Sequence, residues 1–598
     1  MSHRQRTGLT RLGRYLRGRW GFVTWLVLVA TGSAAAQSGG WLLVRAAIDD
    51  GIGKGDRGTL TTVVAVYLVV NLGGWLCQLM LIRGLASVGQ GIVLGLRRDL
   101  FDHLTSLSLR YFSEQRAGWI IARVTSDVDA ISDALSQGLP TLVSNVVLLP
   151  TTIVVLFVVD WRLGLVAMVI LPPTLILSRW FQRMSAVAQL DVRNRIASVT
   201  AQVAESVSGM AIVQAFNRER QFQAQFDELN AENRTSNVWA QKLFSVFFPS
   251  IELLGAISTC AVLVVGAHLL GSGELTIGTL ITAIYLLQLV FQPLQELSDV
   301  YGQLQAAAAA MVKITSVLDT EPDIGDRPGA RPIGPIEGAI DLDAVSFAYG
   351  QTDVLHDIEI HVPPGGCIAL VGQTGGGKST LAKLIARFYD PRAGVVRVDG
   401  TDLREVELNG YRRQLGVVLQ DPFLFSGTIA DNIRFARPEA PDEEVRDTAA
   451  AIGLDRLLRR LHGGLDHEVR EGGAGLSAGE RQLISIARAL LANPRILILD
   501  EATSNIDRPT EVVIERALDR LLHGRSSVII AHRLATVRRA DAVLVVERGR
   551  IVQRGTPAEL AAAEGPFQRL AGALETPADL PAADAGARRS AVSARGRR

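Results

Sequence analysis

The hydrophobic pattern divides the chain into two unlike halves. From about residue 20 to residue 297 it carries long apolar runs, and beyond residue 338 it alternates short apolar runs with amphipathic stretches. A bilayer core needs about 20 apolar residues per helix. Six runs meet that requirement: Trp20–Leu43, Leu60–Ile82, Leu139–Val159, Leu163–Phe181, Phe244–Leu270 and Leu275–Leu297. No charged residue falls between Ala134 and Val159. Fully buried helices of a soluble protein are the alternative, but so many such runs in one half of a chain do not fit them.

The first run has a second reading. Arg4, Arg6, Arg11, Arg14, Arg17 and Arg19 could form the basic region of a signal peptide, with Ala34-Ala35-Ala36 as its cleavage site. The apolar pattern continues through Trp41-Leu42-Leu43-Val44 and a second span follows. A membrane span preceded by a basic amphipathic segment on the inner surface is the better reading.

Positive charge orients the spans. One long connection holds Arg83, Arg97, Arg98, Arg110, Arg116 and Arg123, and another holds Arg183, Arg193, Arg195, Arg218, Arg220, Arg234 and Lys242. The opposite side has Arg45, Lys54, Arg57 and Arg162. Both termini and both long connections are therefore expected in the cytoplasm. The connections keep helical periodicity, and about 25 residues of helix rise roughly 37 Å. They read as helical hairpins with tips near Leu109–Gly118 and Gly209–Asn217, well placed to touch a cytoplasmic domain. An irregular cytoplasmic domain in two pieces is the alternative.

The expected organisation is a basic segment over 1–19, a six-helix membrane domain over 20–318, a Pro/Gly/acid-rich linker over 319–337, a soluble α/β domain over 338–573 and a disordered tail over 574–598. Composition agrees. The 598 residues are 48% hydrophobic and 20% charged, too apolar for a disordered chain. Lys+Arg is 61 against Asp+Glu 60, which leaves no electrostatic footprint for nucleic acid. Cys77, Cys260 and Cys367 are too few and too scattered for a disulfide framework or a zinc site.

The chemistry lies in the soluble half. Cys367-Ile-Ala-Leu-Val reads as a buried strand, Leu381-Ala-Lys-Leu-Ile-Ala-Arg as a helix, and Gly372-Gln-Thr374-Gly375-Gly376-Gly377-Lys378-Ser379-Thr380 joins them. This is the phosphate-binding loop G-x-x-x-x-G-K-[ST] in the context it requires. The glycines let backbone N–H groups and a helix N-terminus wrap phosphates. Lys378 is placed for the β- and γ-phosphates, and Ser379 for Mg²⁺. Downstream, Arg495-Ile-Leu-Ile-Leu-Asp500-Glu501 is a buried strand ending in two acids. Asp500 suits Mg²⁺ and Glu501 an attacking water. Leu476-Ser477-Ala478-Gly479-Glu480 opens a helix just before that strand. It is a second anion-binding N-terminus, which one ATP in one chain does not need. An ordinary serine cap is its plain reading.

Taken together, these motifs resemble the half-transporters of the ATP-binding cassette exporter family, over roughly residues 20–573. Leu476-Ser-Ala-Gly-Glu480 matches that family's signature loop with changes, and Gln420 its glutamine loop. Ser504-Asn505-Ile506-Asp507 matches its aspartate loop, His532 its switch histidine, and Tyr349 the aromatic that stacks on adenine. The implied fold is a six-helix membrane domain followed by a P-loop NTPase. The resemblance implies two such domains sandwiching two ATP molecules. Tyr349 holds the base; Gly372 to Thr380 hold the phosphates. Ser379, Gln420 and Asp500 serve the metal, Glu501 is the general base and His532 steadies the γ-phosphate. Ser477, Gly479, Glu480 and Asp507 complete the partner's site.

Two departures matter. The usual family signature is Leu-Ser-Gly-Gly-Gln, and this chain has Ala478 and Glu480. At about 7 Å and an effective ε near 20, the Glu480 charge repels a phosphate by roughly 2 kcal/mol. An altered signature in a chain that keeps Glu501 and His532 is similar to the catalytically intact half of heterodimeric exporters. A second, different half-transporter is the favoured partner, with a homodimer as the alternative. The expected activity is ATP-driven export of amphipathic compounds, lipids, drugs or peptides, with the bilayer as solvent and the plasma membrane as location. An importer on the same fold, or a membrane-bound ATPase regulating a partner, are the alternatives. Glu252, the acid inside Phe244–Leu270, reads as an interface residue before a cation-binding one.

Overall fold

The computed structural model describes residues 20–500, 506–531 and 533–574. Contacts along the chain group it into two units. One comprises Met1–Ser106 and Arg116–Thr320; the other comprises Leu107–Gln115 and Glu321–Arg598.

The described part of the first unit is a bundle of long helices. Trp20–Ala46 runs as one helix through Ala34-Ala35-Ala36. Arg57–Ser106 has 50 residues and Glu219–Gly271 has 53. At about 1.5 Å per residue such helices exceed the roughly 30 Å hydrocarbon thickness more than twofold. The apolar spans therefore continue without a break into the arginine-rich connections, which are helical and not irregular. Leu139–Val159 is a helix over the expected residues, and Ile277–Leu318 carries the last apolar run.

One expected span is interrupted. Leu163–Phe181 is divided into Trp161–Val169 and the start of Leu171–Ser208, with the break at Ile170. Pro172 and Pro173 follow directly. Proline supplies no N–H and crowds the preceding turn, so the helix restarts there. The Asp160 carboxylate caps the first segment, accepting from the backbone N–H groups of Arg162 at 2.8 Å and Leu163 at 3.1 Å. In the bundle core Phe181 stacks on Phe247 with ring centroids 3.8 Å apart. Leu68, Val69, Leu72 and Trp75 lie exposed along Arg57–Ser106, a surface that a bilayer makes favourable. Glu252 is also exposed on its helix, outside the bundle core.

The second unit is built on two main sheets. Its strands are β1 (Ile340–Tyr349), β2 (Thr352–Val362), β3 (Cys367–Val371), β4 (Ala393–Val398), β5 (Thr401–Asp402), β6 (Leu415–Val418), β7 (Gly427–Thr428), β8 (Glu468–Val469), β9 (Ile496–Asp500), β10 (Ser526–Ile530), β11 (Ala542–Glu547) and β12 (Arg550–Gly555). One sheet has the order β2-β1-β4-β5, the other β12-β11-β3-β10-β9-β6, and β7 pairs with β8. From β11 to β6 neighbouring strands of the six-stranded sheet are parallel; β12 is antiparallel. Strands β3, β9 and β10 are buried almost throughout, as in a parallel sheet with helices on both faces.

The linker stretch is tied to this unit. Arg387 is 1% exposed and donates to the carbonyls of Val406 at 3.1 Å and Gly325 at 3.3 Å. Ile336 N–H donates to the Gln414 side chain at 2.9 Å. The short helix Leu109–Glu114 also belongs here. Arg110 pairs with Asp323 at 3.5 Å, and Ser113 Oγ lies 3.4 Å from the Tyr389 hydroxyl.

Candidate nucleotide site

Strand β3 delivers the chain to the glycine loop, and Gly377 caps the helix Lys378–Ile385. The loop's path demands glycine. Gly372 has φ 150° and Gly377 φ 107°. A Cβ on Gly372 would sit 2.1 Å from the Val546 carbonyl oxygen, and one on Gly377 would sit 2.6 Å from Leu355 Cδ2. The loop is thus pressed against the end of β11 and against β2. Gln373, Thr374 and Gly375 form its exposed crest, with Gly376 buried beneath.

Lys378 is buried, and its ammonium donates to the carbonyls of Gly372 at 2.7 Å and Gln373 at 2.9 Å. Burial pushes its pKa below the ordinary lysine value, and the Asp500 carboxylate opposes that shift. Asp500 ends β9, where it pairs in register with Ile530 of β10. The loop lysine and the strand-end acid are therefore electrostatic neighbours. Ser379 is exposed on the first turn of its helix and Thr380 is buried.

Tyr349 ends β1 and packs edge-on against Phe347 and Tyr389, with centroids 4.8 and 5.3 Å away. Its hydroxyl lies 3.4 Å from Thr380 Oγ1, so the aromatic and the phosphate helix are joined. Gln420 follows β6 and is exposed.

The signature segment lies on a different element. Ser477 is the exposed N-cap of the helix Ala478–Ala492. Its Oγ accepts from Glu480 N–H at 3.3 Å, and its own N–H donates to Glu480 Oε2 at 2.8 Å. This reciprocal capping box fixes the Glu480 side chain back on the turn. The other carboxylate oxygen pairs with Arg460. A guanidinium thus meets the negative charge that Glu480 brings to the signature turn. Gly479 is buried, and a Cβ there would lie 2.5 Å from Thr510 Cγ2. Its smallness lets this helix approach Arg508–Leu522, which Asp507 caps through Thr510 N–H at 3.2 Å and Oγ1 at 3.0 Å. Those bonds hold the exposed Asp507 carboxyl below its usual pKa.

Glu501, Ser504, Asn505 and His532 lie outside the described residues. Sequence reasoning missed a clamp on the segment after Gln420. Asn432 is 1% exposed. It accepts from Phe425 N–H at 2.9 Å and donates to the Phe425 carbonyl at 2.8 Å. Arg488 donates to Asn432 Oδ1 at 3.0 Å and to the Phe423 carbonyl at 3.2 Å. A lone asparagine and a helix arginine give no motif. The signal was only their apolar neighbours, which leave a polar group needing a partner.

Comparison with known proteins settles the family. The ABC transporter transmembrane region family matches residues 22–294, and the ABC transporter family matches residues 355–504. An uncharacterized ABC transporter ATP-binding protein of Bacillus subtilis, YknV, is 38% identical over 512 residues, 86% of this chain and 84% of that protein. The chain belongs to the ABC transporter family. An ATP-dependent lipid A-core flippase of Syntrophus aciditrophicus is 35% identical over 509 residues, 85% of this chain and 84% of the flippase. The structure of a bacterial Atm1-family ABC exporter with ATP bound superposes with a TM-score of 0.77 at 27% identity, covering 93% of this chain and 98% of that one.

This ABC exporter half-transporter is a multi-pass membrane protein that binds ATP and couples its hydrolysis to export.

Proposed function

We propose that the half-transporter pairs with a second, different half-transporter in the plasma membrane and exports an amphipathic cargo, a drug or a lipid. In this reading the nucleotide-binding domain and both termini face the cytoplasm. The observation that carries the pairing is the separation of two anion-binding N-termini onto different elements. Lys378 heads one helix, while exposed Ser477 heads another. One ATP in one chain does not need both, so in this reading Ser477 and Gly479, with Asp507 and Glu480 beside them, serve the partner's ATP.

At the chain's own site, Tyr349 takes the adenine and Gly372, Thr374, Gly375, Gly376, Gly377 and Thr380 cradle the phosphates. Lys378 exchanges its loop carbonyls for phosphate oxygens. The hydroxyl of Ser379, the carboxylate of Asp500 and the amide of Gln420 are hard oxygen donors, the set that fits Mg²⁺ shared with phosphates. The metal would neutralise charge on the β- and γ-phosphates. Glu501 takes the proton of the attacking water, and His532 donates to the γ-phosphate. Closure of the two domains on ATP shifts the membrane domain between two states by differential binding. The helices Leu109–Glu114 and Met210–Ala215, at the hairpin tips, carry that closure.

The test is flux through the complex purified by a tag on this chain and rebuilt in vesicles. ATP outside should drive amphipathic dyes or labelled lipid into vesicles whose nucleotide domains face outward. Efflux instead would make the chain an importer; no flux with intact ATPase activity would make it a regulator. Intact mass of the same preparation reads whether the partner is a second chain or a copy.

A further inference from the structure

We propose that Arg460 is a positioning residue for the ATP site that this chain closes in its partner, because it offsets the charge of Glu480. The inference rests on the reading of Ser477 and Gly479 given above. Arg460 ends the helix Asp455–Arg460, and its guanidinium pairs with the Glu480 carboxylate. The Glu480 side chain is 12% exposed and that of Arg460 is 64% exposed. The acid is thus sunk in the turn while the base reaches over it from solvent.

Both carboxylate oxygens are engaged, one by Arg460 and one by Ser477 N–H. Glu480 N–H in turn donates to Ser477 Oγ. A serine hydroxyl that accepts a bond still has its own proton to donate. That is the polarity a γ-phosphate oxygen requires. The turn therefore keeps its phosphate-binding chemistry with an acid at position 480, provided the charge is balanced. A glutamine there would make the same backbone bond without charge and would need no arginine. Arg460 and Glu480 form a matched pair, and removing one should matter only while the other is present.

An unbalanced charge about 7 Å from a phosphate, at an effective ε near 20, weakens binding up to about thirtyfold. Arg460 is largely in solvent, which screens the pair and reduces the expected effect to about three- to tenfold.

The experiment is an equilibrium isotherm of labelled ATP with Mg²⁺ on the native full-length complex at low ionic strength. Arg460→Ala should weaken one class of ATP site by about three- to tenfold, with Arg460→Gln as the companion variant, and Arg460→Lys should retain most of the affinity. Adding Glu480→Gln should make Arg460→Ala silent. An equal loss in the Glu480→Gln background, or no loss in the wild-type background, overturns the proposal. Ser477→Arg separates this from the reading beneath it. If Ser477→Arg leaves the isotherm unchanged, the signature turn closes no ATP site. If it weakens ATP while Arg460→Ala does not, only the role of Arg460 fails.

Discussion

The Lys378 ammonium lies 2.7 Å from the carbonyl oxygen of Gly372, the residue that opens its own loop. Burial disfavours its charge, and two loop carbonyls with the nearby Asp500 compensate. In the proposed site the lysine is thereby held where phosphate oxygens are to arrive. Lys378→Met should leave the melting temperature of the purified protein unchanged, since the ammonium bonds only to the loop carbonyls of Gly372 and Gln373. ATP retention should fall by about 10- to 100-fold, as expected for a lost charge-assisted bond. A variant that binds ATP normally would remove Lys378 from the site.

Gly372 tests the loop's backbone independently of charge. Its φ of 150° and a Cβ position 2.1 Å from the Val546 carbonyl leave no room for a methyl group. Gly372→Ala must shift the loop or β11, at a cost of roughly 1–3 kcal/mol. Both ATP retention and thermal stability should drop. Gly375→Ala is the contrast: nothing lies within 4 Å of its Cβ position, although its φ is 82°. It should lose less stability than Gly372→Ala in the same melting experiment.

These positions were legible because the motif's spacing is itself a geometry: strand, tight glycine turn, helix. The membrane runs were legible for a similar reason, since their length and composition leave few other solvents. Ile170 was not, because hydropathy alone carried Leu163–Phe181 past Pro172 and Pro173. Arg460 and Arg488 were hidden for a different reason. Their partners Glu480 and Asn432 stand 20 and 56 residues away, and only the packed domain brings them together. The charge of Glu480 was visible in the sequence, and its neutralisation was not.

Asn432 gives a prediction that no motif offered. It satisfies both polar groups of Phe425 and receives Arg488, all at the segment that follows Gln420. Asn432→Ala leaves buried groups without partners, which costs about 1–3 kcal/mol. Melting should fall, and the ATP concentration that half-saturates hydrolysis should rise as Gln420 loosens. Unchanged kinetics in a destabilised variant would confine Asn432 to a structural role.

Acid should loosen helix starts in the nucleotide domain. Asp507 has a lowered pKa, first through its bond from the Thr510 side chain, and Asp431 and Glu559 are lowered first by bonds from the backbone N–H groups of Thr428 and Thr556. A carboxyl lowered in the folded state binds its proton more readily when unfolded. Its stabilisation is therefore full above the unfolded value, near 4, and disappears as pH falls through the folded value. Melting of the wild-type protein should decline below about pH 4. Asp507→Asn should show a shallower decline, because asparagine keeps an acceptor that does not titrate. Parallel pH profiles would show that Asp507 contributes nothing to the acid response.

Glu501 is the proposed general base. It follows Asp500 at the end of β9, the strand flanked by β10 and β6 in the core of the parallel sheet. In the proposed mechanism its task is to accept a proton from the attacking water, and not to hold the nucleotide. Glu501→Gln keeps size and one acceptor while removing basicity. ATP retention should be undiminished, and turnover should fall by about 10²–10⁴. The two readouts should separate, since the proposal assigns binding to Lys378 and the glycine loop. If steady-state hydrolysis persists at the wild-type rate, another group activates the water. If binding is lost together with turnover, Glu501 belongs to the cradle and not to the chemistry. In a heterodimer with one impaired acid the loss should be nearly complete, because this chain supplies the sole competent base. In a homodimer, mixing wild-type and variant chains should leave intermediate activity.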